Sequence, residues 1–246
     1  LRCISHASVE LHKNINLIVG KNGSGKTSFL EGIYLLATGK NFSAAKRLDL
    51  IRDGSLSLGL AGLFVGDGGL ESKIKLEKSS SKTSYTFQGQ SVKKTSEVAA
   101  KIPVLVGNSR AADLLTNSPK ARRDLLDRTA FHVEPNFLVV WQELRKALGH
   151  RNNILKSGRS SNELNYWDKI VSERSHEMDL CRKQIVDKLN NHLRSSSLSE
   201  DLGGVRFDYR RGWGDGLSLS EHLKSNRESE FRIGYTLYGA HRADLR

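Results

Sequence analysis

The spacing of apolar residues at the beginning of the chain changes from a strand pattern to a helix pattern. In residues 1–19 apolar residues alternate with polar ones, and a further apolar run ends at Val19, which predicts two short strands separated by a turn. In residues 27–38 the apolar side chains recur at intervals of three and four, which predicts a helix. Gly39 follows directly and is a typical C-terminal cap.

Alternation returns in residues 55–88, where three runs are separated by turns rich in glycine and serine. Runs of this length with short turns predict an antiparallel β meander. A short helix at 95–101 and an apolar strand at 102–106 are predicted to follow. Together these elements indicate an α/β lobe over residues 1–107.

A helical pattern begins near residue 118. Ser118 is a favourable N-cap, Pro119 suits the first helical position, and Pro135 is expected to follow the end of that helix. A second helix is predicted over residues 137–155, and a third over residues 164–193. The two long helices predict an arm-like helical hairpin.

The remaining residues predict a strand at 205–209, an amphipathic helix at 219–231 and a final strand at 234–238. The predicted architecture is an α/β lobe with an inserted, mainly helical lobe. Its predicted parts are residues 1–107 for the first lobe, 108–230 for the helical arm lobe, and 231–246 for a strand that returns to the first lobe.

The charge of the chain indicates a polyanionic partner. The 246 residues carry a net charge of +12, which favours nucleic acid; a soluble basic surface is the alternative. No apolar run is long enough to cross a membrane, and no basic amphipathic helix indicates a membrane surface. Cys3 and Cys181 have neither disulfide nor zinc spacing, which predicts reduced thiols and a cytoplasmic protein.

Residues 20–27 match the phosphate-binding P-loop pattern G-x-x-x-x-G-K-[ST], between a predicted strand and a predicted helix. Glycines let backbone N–H groups turn around a phosphate, and the helix N-terminus faces the same point. Lys26 is expected to bind the β- and γ-phosphates, and Thr27 to bind Mg²⁺. The alternative is a glycine-rich turn with an incidental lysine. The predicted nucleotide-binding residues are Gly20, Lys21, Asn22, Gly23, Ser24, Gly25, Lys26, Thr27 and Ser28.

Hydrolysis also requires an apolar strand that ends in aspartate, which holds Mg²⁺ and orients water. Asp113 and Asp127 follow loop or helical sequence, and Asp208 lies within a strand pattern. We therefore predict no catalytic residue in this sequence. Among the histidines, His241 has the strongest indication of a function, because it lies in the dense polar cluster 238–244.

Basic residues form two clusters. Lys120, Arg122 and Arg123 open a helix, where positive charge opposes the helix dipole, so either a bound anion or the nearby Asp124 and Asp127 should compensate them.

Further basic residues recur along the second predicted helix, residues 137–155, and the loop that follows it. A solvated face is the ordinary explanation and contact with the DNA backbone is the functional one. The predicted DNA-binding residues of both clusters are Lys120, Arg122, Arg123, Arg145, Lys146 and Arg151.

The P-loop and its helix, Gly20–Ile33, resemble those of SMC-like ABC ATPases. Further motifs follow in the order seen in the RecF family of bacterial recombination mediators, and the resemblance covers essentially the whole chain. These motifs are Gly39–Phe42, Ser118–Asp127, His150–Leu155, Trp167–Asp168, Arg211–Trp213 and Gly239–Leu245. The sequence departs from the family at Ser43, where arginine is usual, and at His150, where glutamine is common.

The resemblance implies an ABC-type ATPase head that binds ATP and Mg²⁺ and forms an ATP-dependent homodimer. It also implies binding to single-stranded and gapped duplex DNA, a weak DNA-stimulated ATPase, and cooperation with RecR and RecO in loading recombinase during DNA repair. The family's signature motif, two-carboxylate strand and switch region have no counterpart in residues 1–246, so the chain resembles the N-terminal part of such a protein.

Two other functions are compatible with a P-loop. A small-molecule P-loop NTPase or kinase with an incidental basic surface requires its own Mg²⁺-binding aspartate and an acceptor pocket, neither of which the sequence indicates. A binding module with a vestigial P-loop is the third possibility, and the complete Lys26–Thr27 pair argues against it.

Overall fold

The computed structural model describes residues 1–42, 50–66, 69–107, 119–158, 162–196 and 204–246. Within these ranges the chain forms two compact units, Leu1–Val106 and Gly107–Arg246. The predicted N-cap Ser118 and the family departure at Ser43 lie outside the described residues.

In the first unit, helix α1 (Lys26–Thr38) follows the P-loop as predicted. Gly39 has φ of 71°, and its backbone N–H donates to the Leu35 carbonyl at 2.8 Å, so the helix ends at the predicted cap. The buried face of α1 includes Leu35, Leu36 and Ala37, which contribute to the core of this unit.

The predicted meander is a four-stranded antiparallel sheet in the order β1-β2-β3-β4. Its strands are β1 (Ser57–Val65), β2 (Glu71–Ser79), β3 (Thr83–Phe87) and β4 (Gln90–Val92), followed by helix α2 (Thr95–Ala99). Leu76 of β2 pairs with Leu60 of β1 and with Tyr85 of β3, which places apolar side chains on one face. The sequence pattern predicted the first three strands, and β4 is an addition.

Two segments that we predicted as strands are irregular. Residues 1–19 and 102–106 contain no assigned strand, and Ile15, Leu17 and Val19 expose 84%, 85% and 77% of their surface. A strand requires a hydrogen-bonded neighbour, and the described residues provide none for these segments.

The second unit contains the predicted helices α3 (Pro119–Val133), α4 (Phe137–Ser157) and α5 (Asn162–Ser195). Helices α4 and α5 form the predicted antiparallel hairpin. His150 of α4 stacks on Trp167 of α5 with ring centroids 4.5 Å apart, and Glu143 pairs with Arg174 at 3.0 Å. Leu126, Leu144 and Val171 belong to the core that joins the three helices.

The single helix predicted at 219–231 is instead two short helices, α6 (Leu219–Ser225) and α7 (Arg227–Ile233), which meet at Asn226. A capping box formed by Ser218 and Glu221 begins α6.

The predicted strand at 205–209 is reduced to β5 (Tyr209–Arg210), which pairs antiparallel with β6 (Asp244–Leu245) after a 3₁₀ turn at Ala240–Arg242. Residues 234–238 form no strand, because side chains bind their backbone: Thr236 donates to Asn152 at 2.9 Å. In the described ranges no helix is both long and apolar enough to cross a membrane.

Candidate nucleotide-binding site

The P-loop leaves the first turn of α1 open. Gly23 and Gly25 have φ of 82° and 94°, which other residues rarely adopt, so the turn requires glycine at both positions. Gly25 is the N-cap, no side chain caps the helix, and its first turn contains no acidic residue. The backbone N–H groups and the positive end of the helix dipole therefore form a site suited to an anion.

Lys26 folds back over the loop. Its Nζ donates to the carbonyl oxygens of Gly20 at 2.7 Å and Lys21 at 2.9 Å, which holds the ammonium group beside the open turn. Thr27 is exposed, whereas Ser28 is only 6% exposed. Of these two side chains, Thr27 is therefore the one that is accessible to a ligand, and nucleotide binding by Ser28 stays a prediction.

These features fit a nucleoside triphosphate. Backbone N–H groups and a lysine ammonium are the donors that bind phosphate oxygens in such loops. The described residues contain no cluster of three His, Cys, Asp or Glu side chains arranged to hold a metal ion. Thr27 offers a single hydroxyl, which fits a cation that is bound mainly by phosphate oxygens and water.

Near the P-loop, Arg2 and Glu31 form an ion pair that the sequence did not predict. Glu31 of α1 has no exposed surface, and Arg2 Nη2 lies 2.8 Å from its Oε2. The signal in the sequence was a glutamate at helical spacing from Leu35 on the apolar face of α1.

His241 lies in the second unit, where its Nε2 is 3.1 Å from the Thr236 carbonyl oxygen. Burial lowers the pKa of His241 to about 4, so the ring is neutral at neutral pH. Because a carbonyl oxygen only accepts, Nε2 carries the proton and donates. The hydrogen bond ties the 3₁₀ turn to Thr236.

The predicted DNA-binding residues fall into three environments, of which the first is an open surface. Lys120, Arg145 and Lys146 are exposed, and the Arg145 guanidinium lies 5.2 Å from the centre of the Trp141 ring. These three cations are accessible to a polyanion.

Arg122 and Arg123 instead bind the last residues of the chain. Arg122 donates to both carboxylate oxygens of Asp244, at 2.8 and 3.1 Å, and Arg123 donates to the Ala243 carbonyl at 2.7 Å. Burial favours a higher pKa for Asp244, but the hydrogen bond and charge of Arg122 lower it below its ordinary value. Asp244, which we did not expect, is thus the carboxylate that pairs with Arg122, while the charges of Asp124 and Asp127 favour the charged form of Arg123 as expected. Asp127 also pairs with Arg182 at 2.8 Å.

Arg151 requires a correction. We expected it to contact DNA, but its side chain has no exposed surface and lies between Asp168 (2.6 Å) and Glu230 (2.5 Å), with a further hydrogen bond to Thr236 (2.9 Å). A guanidinium with no exposed surface cannot contact a phosphate, so we withdraw Arg151 from the candidate DNA-binding residues.

Comparison with solved structures shows the fold. The chain superimposes over its whole length on 69% of a structure described as the recombination mediator protein RecF with ATP in the RecFOR pathway, with a TM-score of 0.86 and 21% identity. A second RecF structure, described as the RecF-ATPrS form, gives a TM-score of 0.85 at 22% identity over 70% of that chain. These likenesses confirm the predicted α/β fold.

Comparison with known sequences shows the family. A family model described as an AAA domain matches residues 1–225. The whole chain is similar to "DNA replication and repair protein RecF" of Shewanella oneidensis (34% identity, 68% of the relative), Shewanella amazonensis (35%, 68%) and Aliivibrio fischeri (32%, 69%). With this identity across two thirds of each relative, the chain belongs to the RecF family of DNA replication and repair proteins.

Proposed function

We propose that the chain binds ATP at the P-loop and acts in recombinational repair as the nucleotide-binding and arm-bearing part of a RecF-type ATPase. The open first turn of α1, with Lys26 held beside it, is the observation that supports ATP binding most directly. The relatives are named for DNA replication and repair, and a solved relative is described with ATP. The names of the relatives support a role of this chain in DNA repair, and the description of the solved relative supports ATP binding.

In this proposal each part of the loop has a distinct task. The backbone N–H groups of residues 23–27 surround the phosphates, and Lys26 exchanges its two carbonyl partners for β- and γ-phosphate oxygens. The Thr27 hydroxyl binds Mg²⁺, which neutralises phosphate charge when bound. The sequence contains no candidate catalytic aspartate, so we expect residues 1–246 to bind ATP without turnover.

The proposal extends to the partners implied by the family resemblance. We propose that the exposed cations Lys120, Arg145 and Lys146 contact the backbone of gapped or single-stranded DNA, and that the protein acts with RecR and RecO as an ATP-dependent homodimer. The net charge of +12 supports a polyanionic partner. No observation on the described residues favours the small-molecule kinase alternative.

The proposal is tested by titrating the 246-residue chain with a fluorescent ATP analogue, with and without Mg²⁺. Lys26→Ala should weaken binding by at least about tenfold, because it removes a charge-assisted contact to phosphate. Lys13→Ala is the matched control, since Lys13 is an exposed lysine outside the loop. Affinity that is unchanged in Lys26→Ala, or absent in the parent chain, would contradict ATP binding at this site.

A further inference from the structure

The first four residues form a turn that lies against α1. The Ile4 backbone N–H donates to the Leu1 carbonyl at 2.9 Å. The Arg2 backbone N–H donates to the Leu50 carbonyl at 3.0 Å, which ties the turn to the core. One backbone hydrogen bond therefore closes the turn, and another attaches it to Leu50.

This turn contacts α1 at the P-loop glycine and again further along the helix. A Cβ built on Gly25 would lie 3.0 Å from Ile4 Cγ1 and 3.2 Å from Cys3 Sγ, and one built on Gly32 would lie 3.1 Å from a methyl carbon of Leu1. Gly25 is the N-cap of α1, so the turn directly supports the point where the phosphate-binding loop becomes helix.

The Arg2–Glu31 ion pair fastens the turn to the helix. Glu31 lies one helical turn beyond Thr27 and has no exposed surface, while the Arg2 side chain is 31% exposed. A buried carboxyl group is costly without a polar or charged partner, and the Arg2 guanidinium is such a partner for Glu31. Arg2 directly precedes Cys3 and Ile4 in the chain, so the pair is adjacent to the two residues that contact Gly25.

We propose that Arg2 and Glu31 are positioning residues for nucleotide binding: their ion pair holds the Leu1–Ile4 turn against Gly25 and so keeps the P-loop in its open, phosphate-binding form. This inference rests on the proposed ATP binding. A loop that is already in its binding conformation loses less conformational freedom when the ligand binds, so releasing the turn weakens affinity without removing any contact to phosphate.

Two readouts test the proposal on the 246-residue chain: affinity for a fluorescent ATP analogue, and the rate at which Cys3 is alkylated. Cys3 is exposed and lies against Gly25, whereas burial raises the pKa of the Cys181 thiol, so that Cys181 serves as a slowly reacting internal reference. Arg2→Ala and Glu31→Gln should each weaken ATP binding about tenfold and accelerate alkylation of Cys3 severalfold relative to Cys181.

Three further variants separate positioning from general stability. Arg2→Lys keeps the charge and should restore most of the affinity, while Glu10→Gln and Lys13→Ala alter exposed charges nearby in the sequence and should change neither readout. Urea unfolding of each variant shows whether it remains folded at the titration conditions.

Parent-like affinity and parent-like Cys3 alkylation in folded Arg2→Ala and Glu31→Gln would overturn the positioning role. Loss of affinity that Arg2→Lys does not restore would also overturn it. If the parent chain itself does not bind ATP, the proposed function fails, and the alkylation rates then decide separately whether the ion pair holds the turn.

Discussion

The guanidinium of Arg151 lies in a buried cluster with the carboxylates of Asp168 and Glu230. Arg227, which is 28% exposed, binds the second oxygen of Asp168 at 2.5 Å, so two cations face two carboxylates. The cluster joins three helices, because Arg151 belongs to α4, Asp168 to α5, and both Arg227 and Glu230 to α7. Burial and pairing therefore give Arg151 a structural role, in contrast to the exposed Arg145 and Lys146 of the same helix.

Arg151→Ala should destabilise the second unit by about 3–5 kcal/mol, because it leaves two buried carboxylates without their central cation. Urea unfolding followed by tryptophan fluorescence measures this, since Trp141, Trp167 and Trp213 all lie in that unit. Lys146→Ala, an exposed change on the same helix, should shift stability by less than about 0.5 kcal/mol. Equal stability of the two variants would contradict the role of the cluster.

His241 should make the second unit sensitive to acid. Burial lowers its folded-state pKa to about 4, against 6.5 for an ordinary histidine, so the unfolded chain binds a proton more readily. Its contribution is fully present above pH 6.5 and is lost as the pH falls toward 4. Between pH 7 and 5 we expect a loss of about 1–2 kcal/mol in tryptophan-monitored urea unfolding. His241→Asn should flatten this pH dependence, and an unchanged slope in the variant would contradict it.

At the scale of elements, residues 239–245 pack closely against residues 209–212, the segment that begins with β5. The β5–β6 pair is short, and the Gly239 N–H donates to the Gly212 carbonyl at 3.1 Å beside it. Arg122 and Arg182 bind the same final segment, at Asp244 and at the Ala240 carbonyl. The two backbones approach so closely because Gly212 carries no side chain.

Gly212→Ala should disrupt this crossing. A Cβ at position 212 would overlap the Gly239 carbonyl oxygen and lie 2.8 Å from the Ala243 nitrogen, and neither backbone atom can move aside cheaply. We expect a loss of about 3 kcal/mol or more in the tryptophan-monitored unfolding. In Gly214→Ala the nearest atom would be the His222 ring nitrogen at 3.5 Å, so the change should be small. If Gly212→Ala were as stable as this control, the backbone at residue 212 could move away from residues 239 and 243, which would contradict the prediction.

At the scale of the whole molecule, positive charge is spread over both units. Residues 1–106 contain fifteen lysines and arginines against eight acids, and the remainder of the +12 lies in the second unit. In the second unit many arginines are bound by carboxylates or carbonyls, as Arg122, Arg151 and Arg182 show. Net charge alone therefore overstates the number of cations available to a polyanion.

DNA binding by the whole chain should weaken steeply with salt, because each phosphate contact releases counterions. The double variant Lys120→Ala/Lys146→Ala should lower the slope of log affinity against log salt by roughly one for each contact removed. The assay is a fluorescence-anisotropy titration of gapped duplex across a salt series, with Lys188→Ala, an exposed change on α5, as the control. A slope that stays unchanged in the double variant would remove these two lysines from the DNA-binding surface.

The sequence by itself determined the elements whose signals are local. Helix α1 and its cap at Gly39, the first three strands of the meander and the α4–α5 hairpin all follow from periodicity and from glycine or proline within a few residues. The P-loop was predictable for the same reason, since its glycines, Lys26 and Thr27 are consecutive. The predicted strands of residues 1–19 and 102–106 depend instead on a neighbouring strand, which local spacing does not supply.

Only the tertiary structure decided which charged side chains are paired and which are accessible. Arg122 meets Asp244 across 122 positions of sequence, and Arg151 meets Glu230 across 79. Because spacing along the chain carries no information on partners at such separations, a basic residue that is buried looks the same in the sequence as one that is exposed. The Arg2–Glu31 pair beneath the P-loop emerged in the same way, when folding placed the first turn of the chain against α1.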